Sequence, residues 1–360
     1  MMPSGGSCRS SDAFGKWAAK DDTPKSKQKE NKEYMKIGLI DLDYNGSFPN
    51  IPLMKLSAHH KTHGDCVEWY DFTADEYDIV YVAKVFSWTP DYSYPIRAKR
   101  VFKGGSGYNI RLINGKEEWC CPADSEMGRN AEYSRALPAE VEHIYPDYSL
   151  YPKLTKDTAY GFLTRGCPRG CNFCHVAAKE GRKSYKVADL SEFWHGQKNI
   201  VLCDPNLLAC KDWKPLLQQL IDSKAVLDIN QGLDIRMMTE EKAHMLCQCK
   251  IDQIHFAWDR YEDKDIVVPK FKMFREIWEQ YHKWNEHGKI VYTLVNFDTT
   301  KEQDLERIYT LRDIGYWAYV MIYDKAHQRD PFYKDLARWV NNRILFAACP
   351  RFEDYDSKLG

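Results

Sequence analysis

Three thiols stand close together in the stretch Thr164-Arg-Gly-Cys-Pro-Arg-Gly-Cys-Asn-Phe-Cys-His175: Cys167, Cys171 and Cys174, with Gly166, Pro168 and Gly170 shaping the loop between them. Thiolates are the ligands that iron-sulfur clusters require, and a cluster of four irons normally takes four of them. Three local thiolates leave one iron with an open position, the mark of a catalytic rather than a structural metal site. Cys171-x-x-Cys174 beside His175 is also zinc spacing, but a structural zinc site draws its other ligands from a second, similarly spaced pair. Cys247 and Cys249 are separated by one residue and Cys120 and Cys121 are adjacent, so neither pair matches.

Such a loop needs a scaffold, and the chain is large enough to build one. Its 360 residues suggest about two domains, and 44% hydrophobic content supports a sizeable core. The 51 basic and 52 acidic side chains nearly cancel, so no global field draws the chain to nucleic acid or anionic lipid, although a local basic groove stays open. The N-terminus lacks the apolar core of a secretory signal, and no apolar run approaches the roughly 20 residues that cross a bilayer. A cytoplasmic location is expected, in which the 12 cysteines are reduced and free for metal or catalysis.

Residues 1–34 are rich in Ser, Gly, Lys, Asp and Glu without apolar periodicity and are expected to form a disordered leader that includes Cys8. From Lys36 the pattern predicts strands over 37–41, 66–70 and 79–83, with a helix over 51–63 that stops at Gly64. Alternation of this kind implies a parallel sheet covered by helices. Gly104-Gly-Ser-Gly107 fits a tight turn at a strand end or a loop that cradles phosphate with its amides. The extended stretch 146–152 predicts a connector, which puts the domain boundary near residue 150.

Beyond the boundary an apolar run over 158–164 leads into the cysteine loop, so the thiols are expected at the carboxyl end of a strand, where ligands bind in parallel sheets. Helices are expected over 177–183 and 188–194. Further strands are expected over 199–203, 226–230, 253–257, 289–295 and 316–323, separated by helices over 213–223, 239–247, 270–286 and 301–314, about six β/α units in all. A helix over 333–346, with Leu336, Trp339, Val340 and Ile344 on one face, closes the chain.

The spacing Cys-x-x-x-Cys-x-x-Cys, with Phe173 just before the last cysteine, resembles the signature of the radical S-adenosylmethionine (radical SAM) superfamily. The resemblance implies that Cys167, Cys171 and Cys174 hold a 4Fe-4S cluster and that the amino and carboxylate groups of SAM chelate the fourth iron. An electron from the cluster, delivered by a donor such as a flavodoxin or ferredoxin, would then split SAM to a 5′-deoxyadenosyl radical that takes hydrogen from a substrate. The order of features before residue 150 is similar to the cobalamin-binding-type domain in front of many such enzymes. Those that bind cobalamin through histidine carry Asp-x-His-x-x-Gly after the first strand, whereas this chain has Asp43-Tyr-Asn-Gly46, so cobalamin is not expected by that route. Methylthiolating relatives carry three N-terminal cysteines, a pattern that Cys66, Cys120 and Cys121 do not reproduce.

The implied fold is α/β: a Rossmann-like parallel sheet over 35–150, a partial (β/α)6 barrel of radical SAM type over 151–330, and a helical tail over 331–360. Polar residues at barrel strand ends face the ligand. The resemblance gives Gln231, Asp234 and Arg236 to the ribose and carboxylate of SAM, Asp259 to its amino group or ribose, and the Phe173 backbone to the adenine. Asp204 stands where many members have Gly-Gly-Glu for the amino group, and Asn206 and Asn296 are further strand-end candidates. For each, an ordinary cap or loop hydrogen bond is the alternative. Cys203, Cys210, Cys247, Cys249 and Cys349 fit no iron-sulfur spacing and are expected as small buried hydrophobes. Two rivals remain open: a methyl- or methylthio-transferase acting on nucleic acid, and a zinc-stabilised binding module. The substrate is not legible, because this fold hosts many reactions.

Overall fold

The computed structural model describes residues 34–113, 116–120, 131–134, 136–284, 288–323 and 330–356. The expected leader lies outside these residues except for Tyr34, as do Cys8 and Cys121. The chain divides into two compact units between Thr155 and Lys156. Among the described residues no helix is long and apolar enough to cross a membrane.

In the first unit β1 (Lys36–Asp41), β2 (Cys66–Trp69), β3 (Tyr77–Ala83) and β4 (Ala98–Gly104) precede an antiparallel pair, β5 (Ile110–Ile113) and β6 (Lys116–Trp119), and then β7 (Ala131–Ser134). Five of them form one parallel sheet in the order β2-β1-β3-β4-β7. The helix Ile51–His63 crosses from β1 to β2. Asn50 starts it by accepting from the Leu53 amide, and Gly64 ends it in the left-handed region at φ 90°. The expected helical cover is present on one face, where Leu53 and Leu56 pack on Ile37, Leu39, Ile79 and Phe102. On the other face loops replace helices: Tyr70, Ala74, Tyr92 and Ile96 cover Tyr77, Val80, Val82 and Val101. Residues 70–76 are too few for a helical crossover, so aromatic side chains shield that face instead.

The second unit carries β8 (Thr158–Gly161), the two-residue strands β9 (Thr164–Arg165) and β10 (Tyr185–Lys186), β11 (Asn199–Leu202), β12 (Val226–Leu233), β13 (Lys250–Ala257), β14 (Lys289–Val295) and β15 (Trp317–Ile322). Six of them make a parallel sheet in chain order, β8-β11-β12-β13-β14-β15. Right-handed crossovers between successive neighbours place the connecting helices on one side of such a sheet. Phe256 of β13 accordingly packs on Phe271 and Phe274 of the helix Lys264–Tyr281.

Several boundaries differ from expectation for local reasons. The helix expected from Lys270 starts at Lys264 and runs through Pro269, which forgoes the one backbone hydrogen bond its missing amide would have made. The helices expected over 177–183 and 188–194 shrink to Val176–Glu180, stopped by Gly181 at φ 95°, and to a 3-10 turn, Leu190–Glu192, which an Asp189–Glu192 capping box opens and which ends at Phe193. β12 runs on to Leu233 through a register irregularity, so Gln231 lies within the strand rather than after it. Asn342 breaks the final helix into Pro331–Asn341 and Arg343–Ala348 by capping the second piece, and Ile344 is thereby exposed rather than facing the core with Leu336, Trp339 and Val340.

A fully buried ion pair fixes the carboxyl ends of β13 and β14. Arg307 donates to the carbonyls of Trp258, Asp259 and Leu294 and to Asp304 Oδ1 at 2.5 Å, while Asp304 Oδ2 accepts from the Asn296 amide at 3.2 Å. Removing one member of such a pair strands the other charge in the interior. Arg307→Met is therefore expected to lower unfolding free energy by about 3–5 kcal/mol in denaturant titration. The double variant Asp304→Asn/Arg307→Met is expected to lose less than the single one, since no charge is left uncompensated.

Candidate metal centre

The cysteine loop leaves the sheet just beyond β8 and returns at β10, which pairs antiparallel with β9 and closes the loop at its base. Its exit is held by Asp204, whose carboxylate follows β11 and is buried. Asp204 Oδ2 accepts from the Leu163 amide at 3.0 Å, and Oδ1 accepts from the Thr164 amide and hydroxyl, both at 2.6 Å. Glu180 holds the next turn, accepting from Arg165 at 2.9 Å and from the Gly166 amide at 3.0 Å. Gly166 sits at φ 79°, and a Cβ there would lie 2.1 Å from the Lys183 carbonyl oxygen, so only glycine fits. The Cys174 amide donates to the Cys171 carbonyl at 3.0 Å, which curls the second half of the loop.

Two further ties fix the outer part. Arg169, between the first two cysteines, donates to Asp234 Oδ2 at 2.6 Å; Asp234 also accepts from Arg236 Nε at 2.7 Å, and Arg236 reaches Asp263 at 2.7 Å. Burial opposes ionisation of Asp234, but Arg236 and Arg169 outweigh it and hold its carboxyl below the usual range. Phe173 packs edge to face on Phe297, with ring centroids 5.2 Å apart, and so joins the third cysteine's neighbour to the end of β14.

All three thiols are free; Cys167 and Cys171 are half-buried and Cys174 is exposed. Burial first, then the charges of the other thiols and Asp259, push Cys171 up, while Arg236 pulls it down. The Cys174 thiol is also raised, chiefly because protein surrounds the sulfur itself although the residue as a whole is exposed. A cation among the sulfurs would relieve both costs. Asn206, buried behind the loop, donates through Nδ2 to Cys167 Sγ at 3.4 Å, and its Oδ1 is buried with no hydrogen-bond partner. Among the described residues no group of three or more His, Cys, Asp or Glu side chains is gathered to hold a metal ion.

The expected strand-end residues meet different fates. Asp204 uses three acceptor positions on the Leu163 and Thr164 amides and the Thr164 hydroxyl; in the same loop Asn206 Oδ1 has no hydrogen-bond partner among the described residues. Asp234 and Arg236 are paired with each other. Asp259 Oδ1 accepts from the Leu294 amide at 3.3 Å, and burial raises its pKa to about 6. Asn296 adopts φ 62° and uses its amide on Asp304. Gln231 is exposed, with no side-chain hydrogen bond among the described residues. Asp304 and Arg307 were not singled out, yet a signal existed: they interrupt the stripe that Ile308 and Leu311 continue at helical spacing.

The glycine stretch ends β4 at Gly104 and bends at Gly105 into a single helical turn, Ser106–Asn109. Gly105 adopts φ 106°, and the Gly107 amide donates to the Lys84 carbonyl at 3.0 Å, so that amide does not face a phosphate. Cys203, Cys210, Cys247 and Cys249 are buried free thiols, and burial pushes Cys203, Cys247 and Cys249 up to about 12. Cys349 is half-buried.

No protein-family model matches the chain, and no curated protein matches it. Two solved structures of the radical S-adenosylmethionine methyltransferase TsrM from Kitasatospora setae share its fold, each with a TM-score of 0.54. One, bound to cobalamin and a [4Fe-4S] cluster, is 11% identical and covers 81% of this chain and 72% of its own. The other, bound to tryptophan substrate and the SAM analogue aza-SAM, is 12% identical and covers 80% and 72%. At these identities the likeness is one of fold.

Gly166→Ala is expected to displace the loop, so that metal uptake measured by elemental analysis falls several-fold while the circular dichroism of the sheets is kept. The acids Asp204 and Asp259 give a pH signature, because burial raises both to about 6. A folded pKa above the unfolded value means that the folded chain holds the proton more tightly. Their contribution to stability is therefore complete below about pH 4 and lost as pH rises to about 6. In urea titrations Asp204→Asn is expected to flatten that fall between pH 4 and pH 6.

Proposed function

We propose that this chain is a radical SAM enzyme. The observation that carries the reading is the placement of three free thiols in a braced loop directly after the first strand of a six-stranded, sequentially ordered parallel sheet. The fold likeness to a radical SAM methyltransferase supports it independently. In this reading the sheet is the partial (β/α)6 barrel, and Cys167, Cys171 and Cys174 hold a 4Fe-4S cluster whose fourth iron is left for SAM. When bound, the two would supply a 5′-deoxyadenosyl radical for hydrogen abstraction from a substrate, with the electron coming from a flavodoxin or ferredoxin.

The chain's own residues then have definable work. Asn206 holds the Cys167 sulfur by hydrogen bond and has its own Oδ1 unpaired, which suits the ammonium of SAM better than Asp204, already bonded to Leu163 and Thr164. Arg236 is held in place by Asp234 and Asp263 with its charge reinforced, which suits a carboxylate. The Phe173 backbone borders the adenine, with its ring braced by Phe297. Asp259, Gln231 and Asn296 remain to bind the ribose and the amino group from neighbouring strand ends. Arg169 closes the loop onto Asp234 and helps to keep water from the thiols.

A second reading is methyl transfer, favoured by the methyltransferase fold likeness and by the parallel sheet of the first unit. Histidine-ligated cobalamin does not fit this chain: residues 42–50, 70–76, 84–97 and 105–109, which follow β1 to β4, contain no histidine. Asp43, where the histidine-bearing motif would begin, accepts from the Val85 amide and the Thr89 hydroxyl.

Anaerobic reconstitution with iron and sulfide, followed by reduction with SAM and chromatographic assay, is expected to yield 5′-deoxyadenosine. The triple variant Cys167→Ala/Cys171→Ala/Cys174→Ala is expected to yield none. One tightly held zinc per chain, with no iron taken up, would remove the radical mechanism.

A further inference from the structure

The face of the second sheet turned away from its helices carries polar and aromatic side chains in a row. Along β12 and β13, Leu227, Ile229, Ile254 and Phe256 are buried in the core, while Asp228 and His255 alternate with them and point the other way. Tyr160 of β8 lies in the same register row as Asp228 across β11, and Tyr292 of β14 pairs with Tyr319 of β15. Strands of a parallel sheet buried on both faces read as continuous apolar runs, so acid, imidazole and phenols at alternate positions mark a face that meets something else.

Asp228 is the unusual member. Its Oδ1 is shielded from solvent and has no hydrogen-bond partner, although 39% of the side chain is exposed. The nearest basic atom, His255 Nδ1, is 3.8 Å away and is 3.1 Å from the Ile229 carbonyl. A carbonyl can only accept, so Nδ1 carries its proton toward Ile229 and not toward Asp228. The His255 ring lies parallel to Tyr292, at 2° and 5.1 Å, and Tyr292 meets Tyr319 edge to face at 5.9 Å. Burial first, then the Asp228 charge, raises the Tyr292 hydroxyl, and among the described residues the charges acting on Asp228 are His255 and the like charge of Asp252. An acid oxygen without a donor, close enough to Tyr160 and Tyr292 for its charge to act on both phenols and with no lysine or arginine paired to it among the described residues, lacks a cation.

We propose that this face binds the protonated amine of the substrate, with Asp228 as its counter-ion and the Tyr160 and Tyr292 rings as its aromatic neighbours. The inference rests on the radical SAM reading only in taking this face as the substrate side of the sheet; the binding itself needs neither cluster nor reductant. An ammonium meets the exposed part of the Asp228 carboxylate with an N–H and with its charge, whereas a neutral hydroxyl of the same size supplies the hydrogen bond without the charge.

Equilibrium dialysis of the full chain against benzylamine and benzyl alcohol tests it. Benzylamine is expected to bind at least about ten-fold more tightly than the alcohol, the order of preference that one charge-assisted contact supplies. The isosteric Asp228→Asn is expected to abolish the preference, and Tyr292→Leu to weaken the amine several-fold. Equal binding of the two probes, no binding of either at millimolar concentration, or an undiminished preference in Asp228→Asn would each overturn the proposal. So would displacement of benzylamine by SAM, which would assign the cation site to the cosubstrate. Failure here leaves the 5′-deoxyadenosine assay untouched, and failure of that assay leaves the amine preference to stand or fall by itself.

Discussion

The carboxylate of Asp204 is the fixed point of the second unit. It lies at the end of β11 and takes three donors from Leu163 and Thr164, the residues that carry the chain from β8 into the cysteine loop. A strand end without a ladder partner would leave buried amides unpaired, at a cost of about 1–3 kcal/mol each. By closing them, Asp204 sets the direction in which the loop departs. Glu180, Arg169 and Phe173 then determine how the loop folds back, each by a contact with an element of the same unit.

The same device recurs along the carboxyl edge of that sheet. Arg307 gathers carbonyls from the ends of β13 and β14, and Asp304 takes the amide of Asn296, so a buried ion pair does for those strands what Asp204 does for β8 and β11. Irregular backbone at the edge of a parallel sheet has polar groups that no ladder satisfies. Buried charge with several hydrogen-bonding directions supplies them together, and the edge is thereby stiff enough to present side chains to a ligand.

The first unit is a sparer construction. One long helix and a cover of tyrosines shield its two faces, and His60 is locked between Asp65 and Tyr81 at 2.7 and 3.0 Å. Asp41, at the carboxyl end of β1, accepts from Tyr151 at 2.7 Å, and burial raises its pKa. β1 and β3 diverge from the usual succession at this point of the sheet, which is where parallel sheets of this order open to ligands.

Much of this was legible in the residues themselves. Apolar runs at strand and helix spacing marked the six parallel strands in their right order, because a strand between helices must be apolar whatever its neighbours are. The cysteine spacing, with the glycines that permit its turns, marked the loop, because thiol chemistry and positive φ are properties of single residues. What needed the folded chain was which polar side chain faces inward and which is already taken. Asp204 and Asn206 are two positions apart and chemically similar, yet one holds backbone and the other keeps an open oxygen. Asp228 and Arg307 look like ordinary charges in a strand and a helix until residues far along the chain are brought around them. Hydrogen-bond saturation depends on groups distant in sequence, so only tertiary structure decides it.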